Sequence, residues 1–172
     1  EKINAILPVK TFDENRFVFM ATAFGTVKKT PLSEFSRPRN NGIIAIGLDD
    51  DDYLIGVELT EGKHDVMLFS DNGKAMRFSE NDVRPMGRVA RGVRGMKLGL
   101  GQKVISMLVA ENEDLAVLTA TENGFGKRTP ISEYTRHNRG TQGMIAIITS
   151  PRNGKVVTAK LVKPDDEIML IT

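Results

Sequence analysis

An all-β, propeller-like fold is predicted by three observations. A unit of about 50 residues recurs three times, each copy breaks into four short strand-like runs, and Asn-Gly opens the first turn in two of the copies. Asn-Gly is the strongest short-range hairpin signal available to a chain. Four-stranded units repeating at this spacing mark blades that bury their faces only against neighbouring blades. A β-sandwich read as repeats is the competing fold, and the Trp-Asp signature of the commonest propeller repeat is absent because the chain holds no tryptophan.

The leading run Ile3 to Val9 reads as the last strand of a unit whose earlier strands are missing. Unit one, approximately 16–62, then supplies Phe19–Thr22, a turn at Gly25, the basic strand Thr26–Thr30 and a Ser33-Glu34 turn. Units two and three, approximately 64–112 and 114–163, repeat this with Leu68–Ser70 and Thr119–Thr121 before turns at Gly73 and Gly124, and with Ser79-Glu80 and Ser132-Glu133 after the basic strand. The serines read as turn or cap residues, and Tyr134, in the place of Phe35 and Val83, as a packing residue. A loop then leads to a third strand opened by glycine: Gly42–Ile46, Gly95–Leu98 and Gly143–Ile147. The fourth strands are Leu54–Leu59, Val104–Val109 and Val156–Val162, and Glu167–Thr172 reads as the first strand of another unit. Residues 1–10 and 166–172 are thus expected to be partial blades, and the chain a fragment of something longer.

The loop of unit two, Arg84 to Leu98, is basic, free of acids and punctuated by glycine. Its arginines recur at helical spacing, yet three glycines and a proline within twelve residues make a helix costly, so it reads as a loop ending in a strand. Basic residues hold the same place in every unit: Lys28, Lys29, Arg37 and Arg39; Lys74, Arg77, Arg84, Arg88, Arg91, Arg94 and Lys97; Lys127, Arg128, Arg136 and Arg139. Net charge is only +2, so a phosphate-binding surface must come from placement and not from excess. Acids gather elsewhere, at Asp49 to Asp52, Glu111 to Asp114 and Asp165 to Glu167. Repetition of one sign at one place in the unit favours phosphate contact over ordinary solvated loops. In a plain meander, however, the basic loop and the acidic turn after strand four share one end of the blade. A clean basic surface requires the long loop to travel to an outer edge.

Chemistry of other kinds is poorly supported. With no cysteine there are no disulfides or thiolate ligands, a pattern that fits the cytosol. No apolar run near 18 residues or signal-peptide pattern occurs. His64 and His137 lie in unlike turns and read as solvated, the Asp49–Asp52 run lacks the ligand spacing of a calcium loop, and Gly99-Leu100-Gly101 lacks the third glycine and helix of a dinucleotide site. No catalytic, cofactor or metal residue is assigned. The open alternatives are a sequence-tolerant DNA-binding module, a propeller that meets an acidic protein partner, and, third, an enzyme.

The repeated Gly-x-(Val/Ala/Gly)-(Lys/Met)-(Lys/Arg) strand, the Gly92-Val93-Arg94-Gly95-Met96-Lys97-Leu98 segment and the period resemble, over essentially the whole chain, the C-terminal domain of the A subunit of bacterial DNA gyrase and, less closely, its topoisomerase IV counterpart. The resemblance implies a six-bladed β-pinwheel in which blades exchange strands and a basic perimeter bends double-stranded DNA. It implies that strand cleavage and ATP hydrolysis with magnesium belong to other parts of the A subunit, and to the B subunit, with no cofactor in this chain. A cytoplasmic, nucleoid-associated bacterial setting follows. Separately, three units plus two end strands are too few to close a ring, so the fragment is expected to be either an open arc or a homodimer paired through its open strand edges. The family's Gln-Arg-Arg-Gly-Gly-Lys-Gly box is absent; Arg139-Gly140-Thr141-Gln142-Gly143 and Arg91-Gly92-Val93-Arg94-Gly95 are loose echoes of it. Bending is therefore expected to survive where full chiral wrapping does not.

Overall fold

Three hairpins seed three sheets in the computed structural model, which describes residues 3–171. In chain order the strands are β1 (Phe17–Thr22), β2 (Thr26–Pro31), β3 (Leu54–Thr60), β4 (Asp65–Ser70), β5 (Lys74–Ser79), β6 (Val93–Arg94), β7 (Val104–Ala110), β8 (Ala116–Thr121), β9 (Gly126–Pro130), β10 (Met144–Ile145) and β11 (Val156–Val162). The hairpins β1–β2, β4–β5 and β8–β9 turn through Gly25, Gly73 and Gly124, at φ +83°, +84° and +82°. Only glycine takes that conformation without strain, which explains why it recurs there. Each second hairpin strand runs into a short 3-10 turn: Leu32–Phe35, Glu80–Asp82 or Ile131–Glu133.

The sheet is not the repeat unit. The sheet orders are β3-β1-β2-β6, β10-β5-β4-β7 and β11-β8-β9, all pairings within them antiparallel. β6, contributed by unit two, therefore closes the sheet of unit one, and β10, from unit three, closes that of unit two. This exchange is the pinwheel arrangement. It also removes the meander difficulty for units two and three, because their long loops leave their own sheets and travel to the outer edge of the preceding one.

Several sequence expectations are corrected at the third strand. In unit two the paired residues are Val93 and Arg94 instead of Gly95–Leu98, and the glycine matching Gly143 is Gly92: these two take φ +77° and +105°, respectively, while Gly95 stays outside the positive region. Gly95 serves packing, since a Cβ there would lie 2.5 Å from Val27 Cγ1. In unit three only Met144 and Ile145 pair, and Gly42–Ile46 of unit one forms no strand. The third sheet accordingly has three strands among the described residues. Ile3–Val9 and 167–171 are not strands either, although Leu7 and Val9 pack on the outer face of the first sheet. Residues 1, 2 and 172 of the expected end strands lie outside the described residues.

Strand alternation builds the core between sheets. Val66 and Leu68 of β4 face Phe19, Val27 and Val104, whereas Met67 and Phe69 face Val117, Ile131 and Ala159. Both faces of β4 are thus buried, and it reads as a continuous apolar run. Tyr134 is buried edge-on against Phe69, ring centroids 5.8 Å apart, in the packing role expected of it. His64 is buried too, contrary to a solvated turn; its main-chain N–H donates to Glu80 at 2.9 Å. β3, β7 and β11 contact one another in turn, so the fourth strands lie on the inside of the arc and the exchanged strands on its rim.

Candidate nucleic-acid interface

The rim is where the long loops lie. After the 3-10 turn of unit two, the chain runs along β2, bridged Lys29 to Pro85 and paired Thr26 to Arg94. Unit three repeats this along β5, with Arg77 bridged to Arg136 and Lys74 paired with Ile145. Arg37, Arg39, Arg84, Arg91, Arg94, Lys97, Lys127, Arg128 and Arg136 are exposed, and Arg88 and Arg139 are half-buried.

Three predicted binding residues are not at the surface. Lys28, Lys29 and Arg77 are 0%, 2% and 8% exposed, because the next unit's loop lies over the edge of their strands. The Lys29 ammonium pairs with fully buried Glu80 at 3.1 Å and stands 4.3 Å from the centroid of the Phe17 ring. Arg77 occupies the matching place in unit two. It donates to Asp65 at 2.7 Å, to Glu113 at 2.6 Å, and to the carbonyls of Ile131 and Tyr134 at 3.1 and 3.2 Å. Burial alone would lower the Arg77 pKa, but these carboxylates raise it, so the guanidinium stays charged. Both side chains lock one unit to the next, and a phosphate cannot reach them. Arg128, the third of the series, is exposed on β9, which has no exchanged strand beside it among the described residues.

The remaining cations differ in freedom. Arg91 pairs with Asp49, and Arg136 pairs with Asp65 at 2.6 Å. Arg139 donates to the carbonyls of Asp82 and Arg94 at 2.9 and 3.0 Å, and Arg88 to that of Ile44 at 3.1 Å. Among the described residues, Arg37, Arg39, Arg84, Arg94, Lys97, Lys127 and Arg128 have no carboxylate partner. Sequence reading missed Arg152, exposed and 5.0 Å from the Phe125 ring centroid at the turn between β8 and β9. Its turn carries acids in unit one, so repetition gave no signal. Among the described residues no group of three or more His, Cys, Asp or Glu could hold a metal ion, and no helix is long and apolar enough to cross a membrane.

This rim geometry has relatives. The family model described as DNA gyrase C-terminal domain, beta-propeller, matches residues 16–61, 64–111 and 116–163. The chain is 56% identical over all 172 residues to the DNA gyrase A subunit of Klebsiella oxytoca and 55% identical to that of Escherichia coli K12, covering 20% of each protein. It thus spans about a fifth of these relatives' length. Among solved structures, it aligns with a C-terminal domain of DNA topoisomerase IV at TM-score 0.86 and 28% identity, covering 91% of this chain and 49% of that one. A DNA gyrase A C-terminal domain aligns at TM-score 0.80 and 30% identity, covering 92% and 53%.

Proposed function

The chain belongs to the DNA gyrase C-terminal domain, beta-propeller family, and on that premise we propose that its rim binds and bends double-stranded DNA without reading sequence. Within a whole gyrase A subunit it would hold duplex for a supercoiling reaction whose strand cleavage and ATP- and magnesium-dependent steps lie in other parts of that polypeptide, and in the B subunit, in the bacterial cytoplasm. The observation that carries the proposal is the exposure, without carboxylate partners among the described residues, of cations from all three units along or beside the outer edges of the sheets: Arg37 and Arg39, Arg84, Arg94 and Lys97, and Lys127 and Arg128. Among the described residues the only helical segments are short 3-10 turns, so the contacts would go to phosphates, which position a duplex and do not specify it.

The test is a gel-shift titration with random duplex at several salt concentrations. Arg84→Ala/Arg94→Ala/Lys97→Ala removes up to three phosphate contacts from one rim segment, and at about 0.9 per phosphate the plot of log affinity against log salt should become shallower by up to about 2.7. An unchanged slope, with the variant melting like the parent, assigns these side chains to solvent and puts an acidic protein partner ahead of DNA.

A further inference from the structure

The two inter-unit junctions are closed in different ways. Between units two and three, Gly140 N–H donates to the Gly95 carbonyl at 2.6 Å, and Arg139 donates to that of Arg94 at 3.0 Å. Arg88 holds the place of Arg139, each lying four residues ahead of the positive-φ glycine, Gly92 or Gly143. Ile44, which accepts from Arg88, holds the place of Arg94, so half of the closure is repeated between units one and two. The other half is replaced. Among the described residues no main-chain hydrogen bond joins Val89 to Ala45, and the buried ammonium of Lys28 instead donates to the carbonyls of Ala45, at 2.8 Å, and Arg88. Beside this joint opens a groove of about 570 Å3 lined by Arg39, Gly42, Ile44, Arg88 and Val89.

We propose that this groove seats one backbone phosphate of the duplex between Arg39 and Arg88, and that Lys28 is the positioning residue that sets its width from below. The inference rests on the duplex-binding reading and adds to it a defined phosphate seat built by two units. The two arginines line the groove from different units and, among the described residues, neither pairs with a carboxylate. Lys28, fully buried, touches no ligand and acts through the main chain at Ala45 and Arg88. Unit two carries Met76 at the corresponding place, so Lys28→Met installs a side chain that this repeat already accommodates.

The prop can be titrated separately from the walls. Burial lowers the Lys28 pKa to about 8; Arg88 on the rim loop lowers it, Glu34 on the first 3-10 turn raises it, and the covering segment 42–48 brings no ionisable side chain. Between pH 7 and 9.5 the ammonium is therefore discharged while arginines stay charged. The experiment measures random-duplex affinity against salt and pH for the chain, Lys28→Met, Arg39→Ala/Arg88→Ala and the triple combination, with melting curves for each. Lys28→Met should flatten the salt slope by up to about 0.9 at pH 7, the value for one phosphate, and the parent should weaken several-fold by pH 9.5 while Lys28→Met does not. Added to Arg39→Ala/Arg88→Ala, it should have no further effect. Arg39→Ala alone, on an exposed loop, should flatten the slope by about 0.9 and tests the seat without disturbing the prop. A parental slope in Lys28→Met or Arg39→Ala, or full additivity in the triple variant, overturns the groove and leaves rim binding standing; a parent that does not bind duplex at all overturns both.

Discussion

Lys29 and Glu80 show how far a basic residue can be from the role its sequence position implies. On a strand in isolation Lys29 would be half-exposed. The loop of the following unit covers it, and the buried carboxylate on that unit's 3-10 turn supplies its counter-charge. Removing one member leaves the other charge buried and alone, so Lys29→Met should cost about 3–5 kcal/mol of stability, whereas Lys29→Met/Glu80→Met should recover most of it. Denaturant unfolding of the single and double variants checks this, and equal losses in both would show that the pair adds nothing. Native Lys29→Met should still bind duplex as the parent does. The same pair gives an acid limit. Burial would raise the Glu80 pKa, but Thr60, the His64 N–H and the Lys29 ammonium outweigh it and hold the carboxyl below its usual range. A depressed carboxylate stabilises the fold above its unfolded pKa and loses that contribution as pH falls through the folded value. Melting temperature should therefore drop below about pH 4.5 in the parent, with a smaller acid-side drop in the double variant.

Each exchanged strand follows one positive-φ glycine, Gly92 or Gly143, and Gly42 holds the equivalent place in unit one, where no strand forms; Gly92 and Gly42 predict different penalties. Gly92 combines φ +105° with a Cβ position 2.5 Å from the Val27 carbonyl oxygen, while Gly42 has φ +78° and nothing within 4 Å. Gly92→Ala should thus cost about 1–3 kcal/mol and loosen β6, and Gly42→Ala only the smaller conformational part. Urea midpoints compare them directly; equal shifts would deny the close approach any role. This site also marks where the sequence stopped being legible. The hairpins were readable because Gly25, Gly73 and Gly124 sit between short β-rich runs. The register of the third strand was not, since Gly92 and Gly95 stand three residues apart in one segment and only φ separates them. Nor could residue order reveal which sheet the strand joins, because exchange between units leaves the same string of strands as a meander. That one unknown hid Lys28, Lys29 and Arg77, all of which a neighbouring unit's loop helps to bury. Arg84, Arg94 and Lys97 lie on or beyond the covering segment, so their exposure agreed with the simpler picture.

Curvature sets what three sheets together ask of a duplex. With β7 packed between β3 and β11 on the inside, the outer edges that carry the cations diverge, and no straight rod can follow all three. A duplex that reaches the cations of units one and three must bend around unit two. Smoothly bending 20–30 base pairs by 40–90° costs on the order of 1–6 kcal/mol, which the added phosphate contacts must offset. Relieving that cost in advance should appear as affinity. A duplex with a two-nucleotide gap opposite unit two should bind about tenfold or more tighter than an intact one of equal length, the advantage of saving about 1.4 kcal/mol of deformation. Scrambling the sequence of the intact duplex should change affinity far less, since base readout on this scale is worth a thousandfold or more. Competition titrations at one salt concentration measure both effects. Equal affinity for gapped and intact duplex would mean that the DNA stays straight and touches one unit at a time, and the salt slope would then be that of a single rim segment.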